Sequence, residues 1–143
     1  MATRPYDPGK IIILFRGKQI LGFADGTFVK AMRAEASFKN KAGANGDVVR
    51  TRNRNKMGSV TVTLQSTSLS NDDLSSALAL DELSGTGAGA LLVKDLLGNS
   101  LIQAEKAWVQ KPADAPFGDD AENREWTLDC GEINIFNGGN PSL

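Results

Sequence analysis

The sequence has no histidine and only one cysteine, Cys130. Without histidine, the chain cannot build a Ser-His-Asp or Cys-His nucleophile or a histidine-ligated zinc site, and it lacks the commonest general base near neutral pH. A single cysteine cannot form an internal disulfide bond, which excludes a secreted disulfide scaffold. Because these absences remove most routes to catalysis, we predict a protein that is not an enzyme and that has no cofactor and no metal ion.

Long apolar runs are also missing. No stretch approaches the roughly 18 apolar residues that a membrane span requires, and the first ten residues hold no apolar run of signal-peptide length. We therefore expect a soluble cytoplasmic product that does not enter a membrane. The 143 residues, 41% of them hydrophobic, are enough for one domain with a real core. We expect this domain to span residues 1–143, with an N-terminal arm at 1–9 and a flexible tail at 137–143.

Fifteen glycines and regularly spaced turn signals indicate many short elements. The clearest strand ends at Gln65, because apolar and polar side chains alternate from Val60 onward. Residues 126–130 alternate in the same way, and the apolar parity changes after Gly131, which predicts a β-bulge there. Further strands are predicted at 11–15 with a return at 19–21 across a Gly17-Lys18 turn, at 28–38, at 91–93 and at 101–110.

One helix is predicted, from about Asn71 to Ser84. Ser70 and Asp73 have the spacing of a capping box, and Gly85 follows as a stop signal. Together with six to eight strands, this helix predicts a mainly β fold, an antiparallel β-sandwich or small barrel with one flanking α-helix.

The apolar residues of this helix spread around most of its circumference. A helix that is apolar on several sides needs to be covered on several sides. Our interpretation is that its leucines divide between the core of the domain and a seam with another subunit; these are Leu74, Leu78, Leu80 and Leu83. The alternative is a helix buried wholly in its own core.

Residues 39–59 form a basic stretch that we predict to be an extended hairpin turning at Asn45-Gly46. Arg50, Arg52 and Arg54 share one face of an extended chain, and Lys56 continues the series. One interpretation is a solvated arm whose charges protect an exposed strand edge from aggregation. The other is an arm that docks on an acidic surface.

The distribution of charge favours docking between copies of the chain. Residues 1–60 hold 12 Lys and Arg against 4 Asp and Glu, a net charge of +8, and residues 61–143 hold 4 against 13, a net charge of −9. Such separation lets a basic patch of one copy face an acidic patch of the next, in contacts that close into rings or extend into filaments. We predict that the arginines reach an adjacent subunit or ring and meet acids such as Asp119, Asp120 or Glu122.

Other local patterns fit conventional chemistry poorly. The glycine-rich loop at 85–90 follows a helix and precedes a strand, the reverse of a phosphate-binding loop, and no Lys-Ser/Thr follows it. The acids at 114–122 lack the alternating spacing of a calcium loop. Cys130 lies on an apolar strand face and is most simply a core residue. No aromatic residue lies between Lys39 and Leu64 to stack a base, and the whole chain is slightly acidic, which weighs against nucleic-acid binding by the arginines.

Four segments resemble a known family of small phage structural proteins, the tail tube proteins of contractile-tailed bacteriophages. The resemblance extends from about Lys10 to Asn140. The segments that carry it are GFADGTF at 22–28, LSNDDLSSALALDELSGTGAGALLVKD at 69–95, AEKAWVQKP at 104–112 and NREWTLDCGEINIFNGGN at 123–140.

The resemblance implies a β-sandwich whose copies form hexameric rings, stacked into a hollow tail tube. It further implies partners: a sheath around the tube, a tape-measure protein within it during assembly, baseplate and tail terminator proteins, and phage DNA that passes through non-specifically during ejection. The protein would then be part of the virion after assembly in the bacterial cytoplasm. Alternatives are the tube of a type VI secretion system or phage-tail-like bacteriocin, a small nucleic-acid-binding β-domain and, least favoured, a carboxylate-only hydrolase.

Overall fold

The computed structural model describes all 143 residues. Ten strands and one long helix follow a short 3₁₀ turn at Pro8–Lys10. In chain order the elements are β1 Ile11–Phe15, β2 Lys18–Gln19, β3 Val29–Arg33, β4 Phe38–Ala42, β5 Val48–Arg52, β6 Gly58–Gln65, α1 Ser70–Ser84, β7 Gly89–Asp95, β8 Leu101–Val109, β9 Asn123–Cys130 and β10 Ile133–Phe136.

Eight strands form one antiparallel sheet, in the order β2-β1-β7-β8-β9-β6-β3, with β10 paired to β8. The longest pairing joins β6 to β9, where Val60 faces Leu128 and Val62 faces Trp126. Both strands alternate in the same phase, so their apolar side chains fall on one face of the sheet. β4 and β5 pair only with each other. The prediction of a mainly β, antiparallel fold with one flanking helix is confirmed.

The core is one cluster of 18 buried residues. They come from strands β1 and β6–β10, from one side of α1, and from Ile20, which directly follows β2. Leu64 and Leu128 are completely buried there, and Leu74 of α1 is 1% exposed. Burial of each such side chain stabilises the fold by about 1.5–3 kcal/mol. The buried side of α1 therefore packs against the same core as the apolar face of the sheet.

The segment predicted as one strand from Phe28 to Phe38 is two separate elements. β3 ends at Arg33, residues 34–37 turn, and Phe38 begins the separate β4–β5 hairpin. The sequence also suggested an apolar face that includes Phe28, Met32 and Phe38, but Met32 is 49% exposed, so this is not the inward face. Pairing with β6 places Val29 opposite Val62 and Ala31 opposite Val60, so the odd-numbered residues of β3 face the core.

Two smaller predictions of local geometry were also wrong. The first hairpin turns at Arg16-Gly17, whose positive φ angles of 53° and 79° suit a two-residue hairpin loop. Ser70 does not cap α1, because the cap residue is Leu69 and no side chain bonds there. The Ser70 hydroxyl instead accepts a hydrogen bond from the Leu21 N–H at 2.9 Å. Gly85 does end the helix, with a φ of 71°.

The parity change near Gly131 is real, but it is not a register slip against β8. Ala107 pairs with Cys130 and Ala104 pairs with Ile133, so two residues intervene on each strand. The register shift lies instead between β7 and β8, near Gly89. The chain therefore bends between β9 and β10 where β8 carries two successive exposed residues, and the sheet turns a corner there.

The two ends of the chain contact each other in this structure. The Asn140 side chain donates to the Pro5 carbonyl at 2.7 Å and to the Asp95 carboxylate at 3.1 Å, and the Leu143 N–H donates to the Thr3 carbonyl at 2.9 Å. Residues 137–143, which we predicted to be flexible, thus lie against the N-terminal arm and the β7–β8 turn.

Asn71 joins the start of α1 to the sheet. Its amide nitrogen donates to the carbonyls of Gln65 and Ser68 at 2.9 and 3.0 Å, and its side-chain oxygen accepts the indole N–H of buried Trp126 at 2.9 Å. We expect Asn71→Ala to destabilise the subunit by about 1–3 kcal/mol, because the Trp126 N–H would lose its acceptor. Urea unfolding checks this, with exposed Asn134→Ala expected within about 0.5 kcal/mol of wild type as the control. Equal losses from both variants would contradict this role.

Candidate assembly surfaces

The β4–β5 hairpin is a two-stranded sheet with no partner strand in its own subunit. All ten of its strand residues are exposed. Phe38 pairs with Arg52, Asn40 with Arg50 and Ala42 with Val48, so these side chains share one face. An isolated two-stranded hairpin is only marginally stable in water. It therefore needs local anchors or a surface to pack against.

The arginines of the predicted basic face do not all lie on the strand. Arg50 and Arg52 belong to β5, and the Arg50 guanidinium lies 3.7 Å from the centre of the Phe38 ring. Arg54 follows the end of β5, so the strand alternation no longer fixes its direction. All three are exposed, and none lies within 4.0 Å of a carboxylate of its own chain. Three cations are thus available to a partner.

Lys56 is in a different situation from the arginines. It is half-buried, and its ammonium lies 3.7 Å from the Glu132 carboxylate. A cleft of about 280 Å³ opens beside this pair, lined by residues 52–56 with Gly131 and Glu132. Its lining contains no hydrophobic residue and includes three cationic side chains, which suits a carboxylate-bearing partner.

The base of the hairpin is fixed by Asn53. Its side chain donates to the Glu35 carboxylate at 2.7 Å and to the Ala36 carbonyl at 3.1 Å, and its oxygen accepts the Asn55 N–H at 3.0 Å. Because the Asn53 bond favours the charged carboxylate, the pKa of Glu35 lies below its usual value of 4.5. These bonds hold the hairpin in a defined direction relative to β3.

Exposed apolar side chains accompany the charges of the hairpin. Val48 is 66% exposed, Val49 is 61% exposed and Phe38 is 42% exposed. The sequence pattern drew attention to the arginines and missed these residues, although Val48-Val49 directly precedes them. A purely solvated arm has no need of three exposed apolar side chains, whereas a docking arm gains by covering them.

The acids predicted to meet the arginines lie on a long irregular segment between β8 and β9. Asp119, Asp120 and Glu122 are exposed. None of them forms an ion pair within the subunit, where the two pairs are Lys18–Asp73 and Lys56–Glu132. The structure therefore does not bring these acids together with the arginines of the same copy.

The four leucines of α1 divide between the core and the surface. Leu74 is 1% exposed and Leu78 is 9% exposed, so both lie in the core of the subunit and are not available to a neighbour. Leu80 is 38% exposed and Leu83 is 85% exposed. Being three residues apart, the exposed pair lies on one side of the helix. A seam formed by α1 would thus use Leu80 and Leu83.

The remaining sequence patterns take ordinary structural places. The Gly87 N–H donates to the Asp81 carboxylate at 3.2 Å, which binds the glycine-rich loop back onto α1. Cys130 is 2% exposed, and burial first, then the nearby Asp129 charge, raises its pKa to about 11, so its thiol stays protonated at neutral pH. No group of three or more Asp, Glu, Cys or His is placed to hold a metal ion. None of the helices has the length and apolarity needed to cross a membrane.

A match to a known protein family identifies the kind of protein that carries these surfaces. The model of the bacteriophage PhiTE tail tube protein family matches residues 15–138, which is most of the chain. The chain belongs to this family. Its role is that of a structural protein of the phage tail tube. The segments on which the resemblance was based lie almost wholly within the matched range.

A phage relative agrees with this assignment, and three solved structures share the fold. "Structural protein ORF10" of Pseudomonas phage KPP10 is 27% identical to this tail tube protein over 149 residues, covering 99% of this chain and 86% of the relative. The anti-feeding prophage tube-terminating cap has a TM-score of 0.60 at 10% identity, covering 95% of this chain and 93% of that one.

Two further neighbours come from an extracellular contractile injection system, PVC, in its extended state. Its sheath/tube terminator has a TM-score of 0.59 at 11% identity, covering 94% of this chain and 99% of that one. A chain of its sheath–tube complex has a TM-score of 0.58 at 11% identity, covering 92% and 91%. At such identities these likenesses establish a shared fold.

Proposed function

We propose that copies of this tail tube protein join into hexameric rings, and that the rings stack into the hollow tube of a contractile phage tail. The tube would be wrapped by a sheath protein, would enclose a tape-measure protein during assembly, and would end at baseplate and terminator proteins. Phage DNA would pass non-specifically through its lumen into the host. The subunits would be made in the bacterial cytoplasm and would act without catalysis.

The observation that carries this proposal is the β4–β5 hairpin. It combines arginines that have no carboxylate partner in their own subunit with exposed Phe38, Val48 and Val49. We propose that it docks on an adjacent subunit or ring, where Arg50, Arg52 and Arg54 meet Asp119, Asp120 or Glu122. Lys56 lines the cleft at the base of the same hairpin. A contact between different surfaces of identical copies extends from one copy to the next, as a tube requires.

The contractile character of the proposed tail is supported by the structural neighbours. Two of them come from a contractile injection system, and one of those is part of a sheath–tube complex. We infer that this protein likewise forms the inner tube beneath a sheath. The same neighbours keep a bacteriocin or secretion tube as the alternative. The matches to one phage tail tube family and to one phage structural protein favour the phage tail.

Purified protein at high concentration is expected to self-associate, and negative-stain microscopy with light scattering checks this. Rings or tubes of uniform diameter are the expected result. Because exposed charges contribute to the contacts, assembly should weaken as added salt shortens the Debye length from about 10 Å at 0.1 M to about 3 Å at 1 M. A protein that stays monomeric at high concentration, and also when mixed with its baseplate components, would overturn the proposal.

A further inference from the structure

Arg124 occupies an unusual position for a charged residue. It is the second residue of β9 and has the same parity as Trp126 and Leu128, which face the core. Its partner across the sheet is Leu64, which is completely buried. Arg124 itself is half-buried. Its side chain therefore runs along the edge of the core rather than directly into water.

One guanidinium nitrogen of Arg124, Nη1, is buried and has no hydrogen-bond partner. No carboxylate of the subunit lies within 4.0 Å of the side chain, since the two ion pairs of the chain involve other residues. An arginine does not lose its proton in proteins, so the group cannot lower the cost by becoming neutral. Buried N–H groups are nearly always paired, and an unpaired one calls for an explanation.

Arg33 shows how the same fold pairs a half-buried guanidinium. Its Nε and Nη2 atoms both donate to the carbonyl oxygen of Ile133, at 3.2 and 2.8 Å, and its Nη1 atom donates to the Ser37 hydroxyl at 3.4 Å. Arg33 thus uses its planar fork within the subunit. This fold can therefore supply partners to a half-buried arginine, and the lack of a partner is specific to the position of Arg124.

Phe117 lies over the Arg124 guanidinium and is itself exposed to solvent. The ring centre of Phe117 lies 4.9 Å from the guanidinium carbon, within the range of a cation–π contact. Phe117 is 85% exposed and belongs to the irregular segment between β8 and β9. A large aromatic side chain with one face on a cation and the rest in water is typical of the centre of a protein–protein contact.

The acids of the neighbouring loop do not fill the gap. Asp119, Asp120 and Glu122 are two to five residues away in sequence, yet they are exposed and form no ion pair with Arg124. The subunit thus carries an unpaired buried donor beside a loop whose acids form no ion pair with it. The other nitrogens of the Arg124 guanidinium form no hydrogen bond within the subunit and are not enclosed, so a second copy can reach them. A carboxylate placed there would offset the charge that the free subunit leaves uncompensated, so this position favours the assembled state.

We propose that Arg124, together with Phe117 above it, is a docking position for a carboxylate of a second copy of this chain. A carboxylate matches both the charge of the guanidinium and its paired N–H groups. This inference rests on the proposed function, because it requires that copies assemble. It assigns a contact beyond the basic hairpin and α1, made by Arg124 at the start of β9 and by Phe117 of the irregular segment before it.

The test compares Arg124→Met with Arg33→Met in full-length protein. Urea unfolding should show Arg124→Met to be as stable as the wild-type subunit or more stable, since an unsatisfied donor is removed. Arg33→Met should unfold at lower urea concentration, because the Ile133 carbonyl loses its donors. Sedimentation and negative-stain microscopy should show that Arg124→Met raises the concentration at which assembly begins by at least about tenfold. Phe117→Ala should weaken assembly without destabilising the subunit, and Arg124→Lys should assemble better than Arg124→Met.

Each alternative result has a definite meaning. If Arg124→Met destabilises the subunit as Arg33→Met does, then Arg124 has a partner within its own chain and the inference is wrong. If Arg124→Met assembles at the wild-type concentration, no second copy pairs with it and the inference is again wrong. If wild-type protein itself fails to assemble, the proposed function is what fails.

Discussion

Replacement of Arg50, Arg52 and Arg54 together by glutamate is expected to abolish stacking of the tail tube protein while leaving its β-domain folded. The three side chains are exposed and lack carboxylate partners in their own subunit, so the fold loses little when they change. Each exposed ion pair contributes only about 0–1 kcal/mol. In the proposed rings, however, reversal would turn three attractions per subunit into repulsions and repeat them around every ring. Microscopy and sedimentation measure assembly, and circular dichroism measures the fold.

The matched control changes three exposed lysines outside the hairpin to glutamate: Lys10, Lys106 and Lys111. Each replacement lowers the charge by two, so the net charge falls from −1 to −7 in both triple variants. If total charge alone governed assembly, both variants would fail equally. Charge reversal of Asp119, Asp120 or Glu122 should partly restore stacking of the arginine variant. Tubes of normal length from the arginine variant would show that the hairpin is only a solvated arm.

The sheet was largely predictable because its strands bury one face. Val60 and Leu128 each lie in an alternating segment, and the structure pairs those two segments directly. The pattern failed in β3, where Lys30 lies between small and half-exposed residues. In β3, pairing with β6 decides which residues face the core, and the apolar side chains of β3 itself do not. Local propensity had too little apolar content to decide which face turned inward.

The assembly surfaces were predictable only in part, because they depend on where strands end and what covers a helix. The strand alternation correctly predicts that Arg50 and Arg52 share one face of β5. It does not predict the direction of Arg54, because β5 ends at Arg52 and the next residue, Asn53, bonds to residues before the hairpin. The missing partner of Arg124 leaves no mark in the sequence. Whether a buried donor is satisfied depends on groups that only the folded chain brings near it.

On the exposed side of α1, Leu83→Asp and Leu80→Asp are each expected to block assembly and to leave a folded subunit. Leu83 follows Leu74 by nine residues, which places it half a circumference away from the core at 100° per residue. Leu83 is 85% exposed, so its removal costs the subunit little. An aspartate in the last turn adds only about 0.3–1 kcal/mol against the helix dipole. A seam that buries Leu83 would instead have to bury an unpaired carboxylate, which costs several kcal/mol.

Leu74→Asp gives the opposite expectation, because Leu74 is 1% exposed and its replacement places a carboxylate inside the core of the subunit. That variant should lose its native circular dichroism spectrum, while the Leu80 and Leu83 variants keep theirs and elute as monomers in size-exclusion chromatography. Ser75→Asp, on an exposed flank of the same helix, is the control that should both fold and assemble. If Leu83→Asp assembles normally, this side of α1 faces solvent in the tube. If it unfolds as Leu74→Asp does, α1 is internal to the subunit and no seam is formed by it.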